Sequence, residues 1–412
     1  MSLEDTHPDH SRHMNVLFVI HYPVFGGPHN QALLLARSLV REGVKTTVLL
    51  PDEPGNAADR LRAGGVDVVT MPLHRVRATP HPAHQLRFLV SLRGEVGAIR
   101  RLIRERAIDI VQPGGLVNPH AAIAARQEDT PVVWQILDTR PPMALRRLMM
   151  PLVLRLSDVV MTTGRAVADV HPGATGLGER LRPFYPPVEP EFFSPDHGDR
   201  GAARAEFGFS QEDIVLVGVG NLNPQKGHEH LLRAAALARR TRPEIKVLVV
   251  GAPHPTHRGY EDGLHRLAGQ LGLDVGKDVV FAGALSDVRP GLAAADVFVL
   301  ASVPRSEGAP TAIGEAMMME LPVVATDVGA VRELVESGRT GFVVPPLDAQ
   351  AVAGAVLRIL GDDEARASFG RRGRVRAIER MSADECARVH LEAYEYVLRN
   401  RRSHRTDNGR AR

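Results

Sequence analysis

Residues 296–320 read D-V-F-V-L-A-S-V-P-R-S-E-G-A-P-T-A-I-G-E-A-M-M-M-E. Asp296–Leu300 is short, apolar and β-branched, the composition of a strand buried on both faces. A loop follows, with a carboxylate at Glu307, a flexible point at Gly308 and Pro310 at the first helical position. Ala312, Ile313, Ala316 and Met317 then recur at helical spacing, with a second carboxylate at Glu315. A strand, loop and helix in this order leave the backbone N–H groups of Ala309, Thr311 and Ala312 pointing out of the helix start. Partial positive charge there suits a phosphate. At neutral pH Glu307 and Glu315 only accept hydrogen bonds, which suits the hydroxyls of a sugar or ribose. An ordinary βα unit with two solvated glutamates has the same pattern, so the rest of the chain has to separate the two readings.

Outward from this stretch, strands and helices alternate. Strands are expected at Asn15–Ile20, Lys45–Leu50, Val66–Met71, Ile108–Val111, Val132–Ile136 and Asp158–Thr162. A second set is expected at Ile214–Val219, Lys246–Val250, Val279–Ala282, Val323–Thr326 and Phe342–Val344, and residues after 348 read as helical. Strands apolar on both faces and separated by helices predict parallel sheets sandwiched by helices. Between the two sets lies Arg182–Pro195, R-P-F-Y-P-P-V-E-P-E-F-F-S-P, read as a stiff connector. The fold class is therefore α/β, with two doubly wound, Rossmann-like domains and a ligand cleft between the carboxyl ends of their strands.

Bulk properties agree with this division. A chain of 412 residues exceeds one compact core. With 44% hydrophobic and 24% charged residues it is globular, and a net charge of +3 creates no demand for nucleic acid. The single cysteine, Cys386, excludes an internal disulfide and a cysteine-based metal cage, and fits a reducing, cytoplasmic setting. No apolar run reaches the roughly 20 residues that span a bilayer. The helices at Met143–Leu156 and 84–106 carry arginines that also fit peripheral contact with the inner face of a membrane, against the simpler reading of helices packed on the core. Of 51 basic residues only Lys45, Lys226, Lys246 and Lys277 are lysines, a bias of bacterial type that follows from genome composition.

Function should sit in the loops at the strand ends. Phe25-Gly26-Gly27-Pro28 lets backbone approach a ligand closely, as many tight βα turns do. G-V-G-N-L-N-P-Q-K-G-H, residues 218–228, places Lys226 beside a helix start, again in the posture of a phosphate binder. Its spacing is neither that of a Walker loop nor that of a dinucleotide fingerprint.

These residues resemble the family 4 glycosyltransferases of the GT-B fold over residues 15–399. E-G-A-P-T-A-I-G-E-A-M at 307–317 is similar to the family's Glu-x7-Glu motif. L-P-V-V-A-T-D-V-G-A at 321–330 and G-F-V-V-P at 341–345 match the blocks that follow it. Asn221–His228 is similar to the diphosphate-binding loop, 294–302 to the strand before the motif, and Y-P-P-V-E-P-E-F-F-S-P at 185–195 to the segment joining the domains.

The resemblance implies retaining transfer of a hexose-type sugar from a nucleotide-diphosphate donor to a hydroxyl of a glycan, lipid-linked or small-molecule acceptor, without a metal or further cofactor. It implies that Lys226 neutralises the leaving diphosphate with the amides of Ala309–Ala312, that Glu307 holds the donor sugar and that Glu315 binds the ribose. The donor set is then Gly26, Gly27, Asn221, Lys226, Gly308, Ala309, Pro310, Thr311, Ala312 and Glu315, with Lys226 and Glu307 as catalytic groups. Two positions depart from the family: Asn221 stands where an arginine is common, and Leu137 where a histidine is common, with Asp138 retained beside it. His21, His120 and Asp138 are further candidates for the cleft, His120 being equally a helix-capping histidine. A nucleotide-sugar epimerase and a non-catalytic nucleotide-sugar-binding protein are the alternative functions. Donor base, sugar, acceptor and oligomeric state are not legible.

The expected division is a disordered leader over 1–13, an acceptor-side domain over 14–190 and a donor domain over 191–380. A helix over 381–400 returns to the first domain, and 401–412 form a disordered basic tail. Acceptor contacts are expected from 25–28, 75–83 and 114–120.

Overall fold

The computed structural model describes residues 13–74, 82–117, 119–253, 257 and 259–410. Residues 1–12 of the expected leader and all but the last two residues of the 75–83 loop lie outside the described residues.

The first domain begins β1 (Met14–Val19), α1 (Gly27–Arg41), β2 (Val44–Pro51), α2 (Ala57–Ala63), β3 (Asp67–Met71) and α3 (Pro82–Glu105). It continues β4 (Ile110–Pro113), α4 (Pro119–Gln127), β5 (Val133–Ile136), α5 (Met143–Leu156), β6 (Val159–Thr163), α6 (Arg165–Asp169) and β7 (Leu181–Phe184). The second domain begins α7 (Arg200–Glu206), β8 (Ile214–Val219), α8 (His228–Ala238), β9 (Ile245–Val250), α9 (Tyr260–Gln270) and β10 (Val279–Gly283). Then come α10 (Arg289–Ala293), β11 (Val297–Leu300), α11 (Thr311–Met318), β12 (Val323–Thr326), α12 (Val331–Leu334) and β13 (Gly341–Val344). Three helices close the chain: α13 (Ala349–Leu360), α14 (Asp363–Met381) and α15 (Ala383–Arg410).

All strand pairs are parallel. The second sheet has the order β10-β9-β8-β11-β12-β13. This is the doubly wound order whose direction reverses between its first and fourth strands, here β8 and β11, and ligands bind at such a reversal. In the first domain β3-β2-β1-β4 and β5-β6-β7 are joined by bridges Val111–Val132 and Gly114–Gln135, so β1 and β4 flank the corresponding reversal. Burial of both sheet faces explains the continuous apolar runs: β5 and β11 are buried at every position.

Three expectations need correction. The connector begins later than the prolines suggest, because Leu181–Phe184 pairs with β6 as an edge strand, where Pro183 is tolerated. The helix expected over 381–400 is longer: α15 runs from Ala383 to Arg410, with neither proline nor glycine to interrupt it before Gly409. On α5 the expected arginine-lined surface is incomplete, since Arg146 is buried and bonds the carbonyls of Pro141 and Val170. Among the described residues no helix is long and apolar enough to cross a membrane.

The chain crosses between domains twice, and the crossings touch: Val188 N–H donates to Met381 O at 2.7 Å. Beyond that point α15 packs on the first domain, burying Cys386, Ala387, Ala393, Tyr394 and Val397 in its core. A polar clasp adds to the hinge. Glu333 on α12 accepts the N–H groups of Arg165 and Ala166 at the start of α6, both at 2.9 Å, and the Tyr185 hydroxyl at 2.8 Å. Burial and the Glu333 charge push that phenol up to about 12. Glu333→Gln retains the shape but loses the charge facing a helix start, and is expected to cost about 1–2 kcal/mol. Urea unfolding checks this, and an unchanged midpoint would show that the clasp contributes nothing.

Candidate active site

The two loops at the second sheet's reversal are pressed together by backbone. Gly227, in the left-handed region with φ 63°, ends the turn that carries Lys226 and starts α8. A Cβ there would lie 2.0 Å from Ala301 O, so only glycine lets the lysine loop sit on the end of β11. Val303 N–H donates to Gln225 O at 3.0 Å across the same seam.

This brings Lys226 Nζ to 2.7 Å from Glu307 Oε1, and the Ser302 hydroxyl donates to the same oxygen at 2.7 Å. Glu307 is 5% exposed, so its charge is nearly desolvated and depends on these two partners. Ser302 lay inside the quoted stretch without a role; its signal was its place directly after the strand. Pro310 proves to be the N-cap of α11 rather than its first residue, and the first turn carries no acidic side chain. The N–H groups of Thr311 and Ala312, at the start of the helix, therefore keep their partial positive charge.

Glu315 sits one turn further along α11, half-buried at the surface but in a dense part of the site. Burial pushes its carboxyl up to about 7, against the opposing pull of Lys226. That changes the expectation of a pure acceptor: near neutral pH the group also donates. An acid raised in the folded state holds a proton that the unfolded chain has already released. Stability is then greatest below the usual glutamate range and falls as pH rises towards about 7. Unfolding measured from pH 4 to 8 is expected to show this decline, and Glu315→Gln to flatten it. A decline of equal size in the variant would assign it to another group.

Asn221 is exposed, one residue beyond Gly220. Gly220 O receives the buried His228 ring at 3.2 Å, and burial holds that imidazole neutral, down to about 4. Lys226 is therefore the charged group that this loop brings to Glu307.

The first domain supplies the opposite wall. Thr139 Oγ1 donates to Glu307 O at 2.9 Å, Arg140 Nε to Ser306 O at 3.3 Å, and Thr163 Oγ1 to Leu137 O at 2.7 Å. Gly308 enters this wall, since a Cβ on it would lie 2.1 Å from Leu137 O. Its carbonyl accepts Ala330 N–H at 2.8 Å. Leu137, where the family often has histidine, thus contributes backbone to the interdomain seam. None of these cross-domain partners was legible, because the pairing residues lie more than 160 positions apart.

Behind residues 137–140 opens a cavity of about 320 Å³ at the carboxyl ends of β1, β4 and β5. His21, buried, and Asp138, half-buried, are among the residues that line it. Asp138 Oδ1 accepts Arg140 N–H at 3.0 Å at the mouth. His120 does not join them. It is fully buried behind the lining, with Nε2 3.2 Å from Glu95 Oε2 and its ring against Phe88, and burial lowers its pKa. Gly26 and Gly27 start α1, exposed and with open space where a Cβ would go. Among the described residues no group of three His, Cys, Asp or Glu side chains is arranged to hold a metal.

Comparison with known proteins agrees with this architecture. Residues 213–362 match the family described as glycosyl transferases group 1, and residues 26–173 match the glycosyl transferase 4-like domain. The chain is 30% identical over 299 residues to the GDP-mannose-dependent alpha-(1-6)-phosphatidylinositol monomannoside mannosyltransferase of Mycolicibacterium smegmatis, a match covering 68% of this chain and 75% of that one. It is 34% identical over 233 residues to the D-inositol 3-phosphate glycosyltransferase of Streptomyces avermitilis, covering 55% of this chain and about half, 49%, of that relative. Among solved structures, Anabaena HepE in complex with UDP shares the fold with a TM-score of 0.78 at 22% identity, over 93% of this chain and all of that one. The chain belongs to the family 4 glycosyltransferases of the GT-B fold.

Proposed function

We propose that this glycosyltransferase moves a hexose-type sugar from a nucleotide-diphosphate donor to an acceptor hydroxyl with retention at the anomeric carbon, and that it needs no cofactor besides that donor. The observation that carries the reading is the meeting of Lys226 and Glu307 at 2.7 Å beside the head of α11. A cation and a helix start together suit a diphosphate, and a carboxylate beside them suits sugar hydroxyls. As the bond from the sugar's C1 to the β-phosphate oxygen breaks, negative charge grows on the diphosphate. Lys226 and the α11 amides are placed to stabilise that charge more in the transition state than in the ground state. The acceptor oxygen bonds C1, and its proton passes to the departing diphosphate oxygen. Retention is supported by the family resemblance. A nucleotide sugar is supported by the GDP-mannose dependence of the Mycolicibacterium smegmatis relative and by the HepE complexes with UDP and UDP-glucose.

The test is a panel of UDP- and GDP-sugars assayed for nucleoside diphosphate release with and without hydroxylated acceptors, with the product anomer read by NMR. Acceptor-dependent release with the donor's configuration kept is expected. Inverted product, or sugar interconversion without transfer, would contradict the proposal.

A further inference from the structure

The floor of the cavity behind residues 137–140 is backed by the last helix of the chain, through Tyr394 and His390. Gln112 on β4 lines it and is 2% exposed. Its Oε1 accepts the Tyr394 hydroxyl from α15 at 2.6 Å, while its buried Nε2 has no protein partner. With the oxygen end turned to α15, the amide nitrogen is the end left for the cavity.

Gln135 on β5 is different, for both of its ends are used. His390 Nδ1 lies 2.7 Å from Cys386 O, so that nitrogen donates and carries the proton. His390 Nε2 then accepts from Gln135 Nε2 at 2.8 Å, and Gln135 Oε1 accepts from Gln31 Nε2 at 3.3 Å. Burial keeps this imidazole neutral, down to about 4. Of these two glutamines, the floor therefore keeps one uncommitted donor, Gln112 Nε2, in a fixed orientation.

The walls are otherwise largely apolar, with Phe18, Ile136 and Leu145 among them. Among the described lining residues the formally charged side chains are the half-buried Asp138, which accepts the backbone N–H of Arg140, and the exposed Arg140, whose Nε donates to Ser306 O. An anion on the floor would face the neutral Gln112 amide, with the exposed Arg140 as the formally cationic side chain among the described lining residues, and burying a charge without a close partner is the costlier outcome. A buried amide donor with no partner is also costly, and a neutral oxygen relieves it. As to size, a cavity of roughly 150 Å³ holds benzene. About twice that volume suits a body of two six-membered rings.

We propose that this cavity takes the acceptor as a neutral molecule with a compact apolar body, one oxygen of which accepts a hydrogen bond from Gln112, and that it excludes acceptors carrying phosphate, sulfonate or carboxylate on that body. The word acceptor rests on the glycosyl-transfer reading above. Residues 137–140 form one side of this cavity and bond Ser306 and Glu307 on the other, so a ligand seated here presents its outer hydroxyl beside the donor site.

The probes are 2,6-dihydroxynaphthalene and its doubly anionic analogue naphthalene-2,6-disulfonate, titrated calorimetrically into the full-length chain with and without UDP or GDP. The diol is expected to bind at least tenfold more tightly than the disulfonate. Gln112→Leu is expected to weaken the diol about tenfold, the worth of one hydrogen bond to a buried donor. Leu145→Trp, at a half-buried position on α5, fills the cavity and is expected to abolish diol binding. Equal or tighter binding of the disulfonate overturns the proposal, as does a diol affinity unmoved by both variants. Nucleotide binding on the same samples separates the two readings: a chain that binds no nucleotide yet prefers the diol refutes the transfer reading and upholds the cavity's preference.

Discussion

Lys226→Ala is expected to lower kcat/KM for sugar transfer by about 10²–10³, the usual loss when one preorganised group facing developing charge is removed. Most of the loss should fall on kcat, because the charge on a leaving diphosphate grows as the bond to the sugar breaks. The structure gives a reason to expect the upper part of that range. Asn221 brings no charge to the loop, and Lys226 is the cation bonded to Glu307. The substitution also leaves Glu307, 5% exposed, with Ser302 as its remaining side-chain partner. Lys226→Arg separates charge from geometry. A planar guanidinium keeps the charge but cannot reproduce a compact ammonium against one carboxylate oxygen, so partial recovery is expected. Steady-state kinetics on both variants, with circular dichroism to confirm folding, checks this. Transfer at the normal rate by Lys226→Ala would remove the lysine from the mechanism.

Gly308→Ala should have the second largest effect, through distance rather than charge. The added methyl would stand 2.1 Å from Leu137 O and 2.5 Å from Thr163 Oγ1, both in the first domain. The Leu137 carbonyl follows β5 and is bonded by the Thr163 hydroxyl of β6, so the loop bearing Glu307 must retreat or the domains must part. A displacement of about 1 Å at reacting groups costs on the order of 10² in rate. The expected result is a kcat lowered about a hundredfold while nucleotide affinity, set mainly by the second domain, falls far less. A parallel loss of both would mean that Gly308 acts on the donor itself.

The parts of this molecule that follow a period were legible. Apolar runs marked the parallel strands. The Lys226 loop and the Glu307–Glu315 helix start were readable because each is a local strand-loop-helix pattern with a charged residue at a fixed place. What depended on pairing across hundreds of residues was not. Nothing local in V-R-E-L marks Glu333 as the clasp between domains, and nothing in I-V-Q-P marks Gln112 as the floor of a cavity closed by Tyr394. Prolines misled at β7 because an edge strand tolerates what a central strand does not. Glu315 was read as an acceptor from its type alone, whereas its burial, and so its shift to about 7, is a property of the packed site.

The central claim is that a nucleoside diphosphate binds where Lys226 meets the start of α11. A crystal structure of the chain with UDP or GDP tests it most directly. The expected result is a phosphate within hydrogen-bonding distance of Lys226 Nζ and of the first N–H groups of α11, with the ribose near Glu315. Phosphates bound elsewhere, with Lys226 still paired to Glu307, would contradict the account.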